Sequence, residues 1–194
     1  IAYNKENCEL DLSQKDLVLV AMGKITNWRD LNCEEGPIHW IFRADSSGTT
    51  KSLSNSLSRF SNEWDLGTSK SISWPKGIGS KGNAGVASRI KLSPGAIGYI
   101  NQSFVKPPLK VARIQNLNGE FIRPTSLSGE KTLSTITLNK NLAGNNPNPK
   151  VQGAYPISSL TWVLAYKKYK SNKDIVIKDF IRFLLSDEAQ AKSP

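Results

Sequence analysis

The sequence predicts an α/β fold, and two observations carry that reading. Short apolar runs of strand character alternate along the chain with stretches whose apolar residues recur at helical spacing. One strand-to-helix junction, Arg43-Ala44-Asp45-Ser46-Ser47-Gly48-Thr49-Thr50, also has the make-up of an anion-binding turn. In α/β sheets, anions bind beyond strand ends at helix N-termini.

The chain opens on Ile1-Ala2-Tyr3-Asn4, which reads as the middle of a strand. It carries neither an initiator Met nor a signal peptide, so it reads as a mature or truncated piece. A polar turn follows over residues 4–8. Ser13-Gln14-Lys15-Asp16 resembles a capping box and starts a helix through Leu17, Val18, Val20, Ala21 and Met22 that stops at Gly23. Residues 24–31 form a compact connection, and Gly36-Pro37 breaks the chain before the strand His39-Trp40-Ile41-Phe42.

That strand leads into the central turn. Beyond it, Leu53, Leu57 and Phe60 recur at helical spacing. A turn of this kind aims backbone N–H groups and the positive end of the helix dipole at one spot. Ser47, Thr49 and Thr50 add hydroxyl donors, and Gly48 lets a ligand approach the backbone. Arg43 supplies a planar fork suited to an oxyanion, with Asp45 placed to orient it. Together they point to a tetrahedral oxyanion. An ordinary N-cap cluster has the same residues and is the alternative.

After a polar stretch over residues 61–70, Ser71-Ile72-Ser73-Trp74 alternates as a short strand ending at Pro75. Residues 77–85 are glycine-rich and open a short helix through Val86, Ala87 and Ile90. They lack P-loop spacing and the full dinucleotide fingerprint, so a tight turn with close helix packing is the preferred reading. Ser93-Pro94-Gly95 is a turn before the buried strand Ala96-Ile97-Gly98-Tyr99-Ile100. Residues 109–117 add a strand that ends at the hairpin-type turn Asn118-Gly119. Residues 123–132 read as irregular or briefly helical, and residues 139–149 as a loop. Residues 157–166 read as a long strand and 167–173 as a basic turn. Residues 174–191 read as an amphipathic helix with Ile177, Phe180, Ile181, Leu184 and Leu185 on its buried side.

With 194 residues, 38% of them hydrophobic and 22% charged, the composition is that of a soluble globular protein, long enough for one full domain or one and part of another. The formal net charge of +10 favours anionic partners. The lysines are scattered and not interleaved with aromatics, so no specific nucleic-acid face is expected. A single histidine and no C-x-x-C spacing argue against a metal site. Cys8 and Cys33 lie in loop-like segments flanking one helix. This favours a single disulfide if the chain is exported, with two separate buried thiols as the alternative. No Ser or Cys sits beside a candidate base, so catalysis is not expected and no catalytic residue or cofactor is assigned.

The segments Gly23-Lys24-Ile25-Thr26-Asn27-Trp28, Arg43-Ala44-Asp45-Ser46-Ser47-Gly48-Thr49-Thr50, Trp74-Pro75-Lys76-Gly77-Ile78-Gly79-Ser80-Lys81-Gly82-Asn83, Ser93-Pro94-Gly95-Ala96-Ile97-Gly98-Tyr99 and Tyr155-Pro156-Ile157-Ser158 occur in this order. Together they resemble the substrate-binding proteins of high-affinity phosphate ABC transporters. The resemblance spans nearly the whole chain. It implies a type II periplasmic-binding-protein-like α/β fold with inorganic phosphate held between two lobes. It also implies an exported, periplasmic or extracytoplasmic protein that delivers its ligand to the membrane permease of an ABC importer, and no enzymatic activity. By the match, Arg43, Ser47, Gly48 and Thr49 are phosphate contacts and Asp45 orients the arginine. Ser46 and Ser80 stand where the family more often has glycine.

The family's first lobe also carries a glycine-rich phosphate loop, a second serine loop and a proton-accepting aspartate, none of which is matched here. The resemblance therefore implies that residues 1–156 are the second lobe and residues 157–194 a return strand and helix of an incomplete first lobe. On that basis the chain is expected to oligomerise, to bind a complementary fragment that supplies the missing lobe, or to have a disordered C-terminal segment. A phosphate-sensing or scaffold domain of the same fold is the alternative function, and a phosphatase-like enzyme a weaker one.

Overall fold

The computed structural model describes residues 1–169 and 173–191. They fall into two compact units, Ile1–Leu160 and Thr161–Pro194.

The first unit is α/β, as the sequence predicts. Its main sheet joins β1 (Ala2–Asn4), β3 (His39–Arg43), β4 (Ile78–Ser80), β5 (Ala96–Gly98) and β6 (Lys110–Val111) in the order β4-β3-β5-β1-β6. β3 is parallel to both β4 and β5, while β1 runs antiparallel to β5 and β6. The parallel neighbours follow from helical crossovers: α2 (Gly48–Phe60) lies between β3 and β4 in the chain, and α3 (Gly82–Leu92) between β4 and β5. A smaller sheet, β2-β7-β8, is built from β2 (Asp11–Leu12), β7 (Arg113–Gln115) and β8 (Phe121–Ile122).

Alternation along β3 divides the core. Trp40 packs in a large cluster with Leu17, Val18, Leu53, Leu57 and Ile97, which joins α1 (Gln14–Ala21) and α2 to the sheet. Ile41 packs in a second cluster with Ala2, Val86, Ile90 and Ala96, under α3. The strand buried on both sides is therefore the one that leads to the central turn.

The capping reading at Ser13 is realised: its side chain accepts the Asp16 N–H at 3.0 Å and donates to the Asp16 carboxylate at 2.6 Å. Helix α1 ends at Ala21 with Met22 as its C-cap, and Gly23 follows at φ +66°. Cys8 and Cys33 form a disulfide with their Cα atoms 5.4 Å apart. Residues 118–119 turn the chain between β7 and the antiparallel β8, and a helix, α4 (Ser126–Leu133), follows.

The structure corrects several element readings. The strand expected over 71–74 does not form. Trp74 instead gives its indole to an aromatic cluster, with ring centroids 5.5 Å from Trp40, 5.7 Å from Trp64 and 5.8 Å from Phe42 and Tyr99. The strand beside β3 is β4, within the glycine-rich stretch. Glycine is needed just before it, because a Cβ at Gly77 would lie 2.4 Å from the Trp40 carbonyl oxygen. The strand expected over 109–117 is two short strands, since β6 pairs with β1 in one sheet and β7 with β2 in the other.

Residues 157–166 form no strand. A strand persists only when neighbours pair its N–H and C=O groups, and no described strand pairs with this segment. The expected basic turn over 167–173 lies partly outside the described residues. The C-terminal helix is interrupted, as α5 (Lys173–Leu184) and α6 (Asp187–Ala191). Its expected buried side is not buried: Phe180 is 58% exposed and Leu185 75%, and α5 has no buried residue.

Candidate functional site

The central turn lies where β3 ends and α2 begins. Arg43 is the last residue of β3, and Ser47 is the N-cap of α2. The backbone is fixed on both sides. The Ala44 N–H donates to the Ser80 carbonyl at 3.0 Å and the Ser47 N–H to the Lys70 carbonyl at 2.9 Å.

Arg43 is positioned by Asp45. Its Nε–H donates to Asp45 Oδ1 at 2.8 Å and its Nη2 to Oδ2 at 2.6 Å. The Arg43 side chain is only 11% exposed. Two of its five N–H groups are spent on this clamp, so three remain for an acceptor outside the pair. The Asp45 carboxylate also accepts the Gly82 N–H at 2.9 Å, from the first residue of α3. The hydrogen bonds from Arg43, then that from Gly82, hold the Asp45 carboxyl well below the usual carboxylate range. The hydrogen bonds that Arg43 donates to Asp45 likewise raise its guanidinium further. The pair is therefore doubly ionised at neutral pH.

The N-cap alternative is also realised, and the two readings are compatible. Ser47 Oγ accepts the N–H of Thr49 at 3.1 Å and of Thr50 at 3.3 Å, and the Ser47 carbonyl accepts the Lys51 N–H at 3.1 Å. The Lys51 bond is the first inside the helix; with the Ser47 N–H given to Lys70, the two bonds to Ser47 Oγ satisfy three of the four N–H groups that a helix start leaves over. The fourth, Gly48 N–H, has no acceptor among the described residues, and Gly48 is exposed. A Cβ at Gly48 would meet nothing within 4 Å. The Cβ side of Gly48 is therefore open to an approaching ligand. Having accepted twice, Ser47 Oγ still has its own proton to donate.

Thr49 and Thr50 part company. Thr50 is fully buried and its hydroxyl lies 2.7 Å from the Tyr99 hydroxyl, so it is a packing residue and not an available donor. Tyr99 is itself buried and accepts the Arg43 backbone N–H at 3.1 Å. It ties the end of β3 to the first turn of α2. Burial pushes the Tyr99 phenol up, against the hydrogen bonds with Thr50 and Arg43, so it stays neutral. Thr49 faces the other way, its hydroxyl donating to Asn101 Oδ1 at 3.1 Å.

The structure thus brings Arg43, Asp45, Ser47, Gly48 and Thr49 into one junction. It adds Tyr99, Gly82 and Asn101. The buried strand expected over 96–100 includes Tyr99; β5 ends at Gly98, just before it, and the partner of Tyr99 depends on β5 lying parallel beside β3. Nothing in the spacing marks Asn101. Lys24 is drawn off to Glu63 at 3.0 Å.

What this junction can do chemically is bind an anion by donated hydrogen bonds. The partners of Ser47 Oγ are backbone amides, which cannot take its proton as a general base does.

A family model described as "PBP superfamily domain" matches residues 1–188. A phosphate-binding protein PstS of Xylella fastidiosa is 32% identical over 183 residues, covering 86% of this chain and 50% of its own length. A PstS of Methanocaldococcus jannaschii is 30% identical over 216 residues, covering 92% and 54%. The chain thus spans about half the length of the curated relatives it matches. Among solved structures, a high-affinity periplasmic phosphate-binding protein with phosphate bound superposes with a TM-score of 0.65 at 22% identity, covering 80% of this chain and 51% of its own. An ABC-type phosphate transport receptor from Vibrio cholerae superposes with a TM-score of 0.55 at 19% identity, covering 98% and 64%. These structural likenesses concern the fold.

Proposed function

The chain belongs to the PBP superfamily domain family, and from that premise we propose that it binds inorganic phosphate at the junction of β3 and α2. The observation that carries the reading is the clamped Arg43 in the same turn as an exposed Gly48 whose N–H has no acceptor among the described residues. A guanidinium held by Asp45 presents its remaining N–H groups without losing side-chain freedom on binding, and such preorganisation saves ordering entropy. Arg43, Ser47, Gly48 and Thr49 are the ligand contacts, and Asp45 is the residue that orients Arg43.

The donors suit any tetrahedral oxyanion. Telling phosphate from sulfate needs a buried acceptor for the phosphate proton. Asp45 does not serve, since its oxygens are engaged by Arg43 and Gly82. The choice of phosphate rests on what the relatives' names say they bind. In the same reading, residues 1–156 form one lobe of a two-lobed protein and residues 157–194 belong to the other. The protein acts outside the cytoplasm, without catalysis, and hands phosphate to the membrane permease of an ABC importer.

The test is a calorimetric titration of phosphate at neutral pH, with sulfate as the comparison and Arg43→Ala alongside. The expected result is saturable phosphate binding weakened about tenfold or more in the variant, since hydrogen bonds to charged groups contribute roughly 1.5–3 kcal/mol. Binding indifferent to the loss of Arg43 overturns the reading.

A further inference from the structure

We propose that Asn101 is a positioning residue of the anion site, whose side-chain amide turns over when the anion binds. The inference rests on the phosphate-binding reading of the junction above.

A threonine hydroxyl has one proton and accepts on its oxygen. In this structure the Thr49 proton goes to Asn101 Oδ1, at 3.1 Å. Thr49 cannot give that proton to an anion while Asn101 holds it. When the anion takes it, Asn101 Oδ1 and Thr49 Oγ1 face each other as two acceptors, which is unfavourable. A primary amide resolves this by a half-turn about its last bond. Its NH2 group then faces Thr49 Oγ1 and donates to it, and the chain of donation runs from Asn101 through Thr49 to the anion. Hydrogen bonds in such a chain polarise one another in the same direction.

The setting permits this turn. Asn101 is exposed, so no packing resists the rotation. Its backbone is held, because the Asn101 N–H donates to Asn83 Oδ1 at 3.3 Å, in the first turn of α3. The start of α3 is itself tied to the turn through Gly82 and Asp45. Asn101 therefore has a fixed base and a free amide, at the distance Thr49 requires. A carboxylate of the same shape has no proton to offer at neutral pH. It would hold the Thr49 proton in place and add a negative charge beside the anion.

The test is phosphate titration of the full chain and of N101A, N101D, T49V and T49V/N101A, with R43A as the marker of the site and unfolding midpoints as the check on folding. N101A is expected to weaken phosphate binding by about threefold to tenfold, the range of one neutral hydrogen bond, and N101D by more. In the T49V background, N101A is expected to cost nothing further, because Asn101 acts only through Thr49. N101D binding as tightly as the parent overturns the proposal. So does an N101A loss that is the same with and without the Thr49 hydroxyl. If R43A abolishes binding while every Asn101 variant titrates like the parent, the Asn101 assignment alone fails. If the parent chain does not bind phosphate, both this proposal and the reading beneath it fail.

Discussion

Asp45 spends both oxygens inside the junction, on Arg43 and on the first N–H of α3. These bonds depress its pKa below that of the unfolded chain. A depressed carboxyl contributes stability that is fully present above its unfolded pKa, about 3.9, and is lost as the pH falls toward its folded one. The gap in unfolding free energy between the parent and Asp45→Asn should therefore be constant from neutral pH down to about pH 5. It should narrow progressively as the pH drops through about 4. Urea unfolding of both proteins across that range measures it, and a gap unchanged at pH 3 would contradict the clamp. Most of the junction is legible at this scale, since Arg43, Asp45, Ser47, Gly48 and Thr49 stand within one short stretch and the local chain alone brings them together. Tyr99 and Asn101 are not legible. They follow the end of another strand, and only the pairing of β3 with β5 carries them to the turn.

Elements were readable where local chemistry decides them and unreadable where a neighbour does. The helices α1, α2 and α3 follow from caps, glycines and apolar spacing. The short strands do not, because pairing selects them: β4 forms where a glycine run fits against β3, and the better alternation at 71–74 is overruled by the packing of Trp74. The glycines record this pressure and give a paired test. Gly98 lies in β5, between β3 and β1, and a Cβ there would stand 2.4 Å from the Ile41 carbonyl oxygen. Neither neighbouring strand can give way without breaking the sheet. Gly98→Ala should lose about 1–3 kcal/mol of stability, the usual cost of overpacking. Gly85, inside α3, is different, because its Cβ would meet the nearest atom at 3.7 Å, an ordinary contact. Gly85→Ala should gain about 0.5–1 kcal/mol, since alanine restricts the unfolded chain. Equal effects of the two substitutions in denaturant melts would contradict the close strand approach.

At the scale of the whole molecule, burial is unevenly shared. Both hydrophobic clusters draw their residues from Ile1–Leu160. Beyond Leu160 none of the described residues is buried, although that segment is rich in apolar side chains. Leu164 is 92% exposed, Tyr166 79%, Val176 67% and Phe180 58%. A continuous apolar run followed by an amphipathic helix is the pattern of a strand and helix packed into a parallel sheet. This is why the sequence reads as a strand there, and why the strand does not form without pairing neighbours. Apolar side chains exposed in such number favour association. The chain should therefore elute as species larger than a monomer, increasingly so with concentration, in light scattering coupled to size exclusion. Leu164→Glu combined with Phe180→Glu should shift it toward the monomer, because a charge on each exposed apolar stretch makes its burial costly. The unfolding midpoint of Ile1–Leu160 should hardly move, since neither substitution touches the clusters that hold that unit together. A parent chain that stays monomeric at high concentration with α5 intact would show that the exposed face is tolerated in water, and would remove the argument for a covering partner.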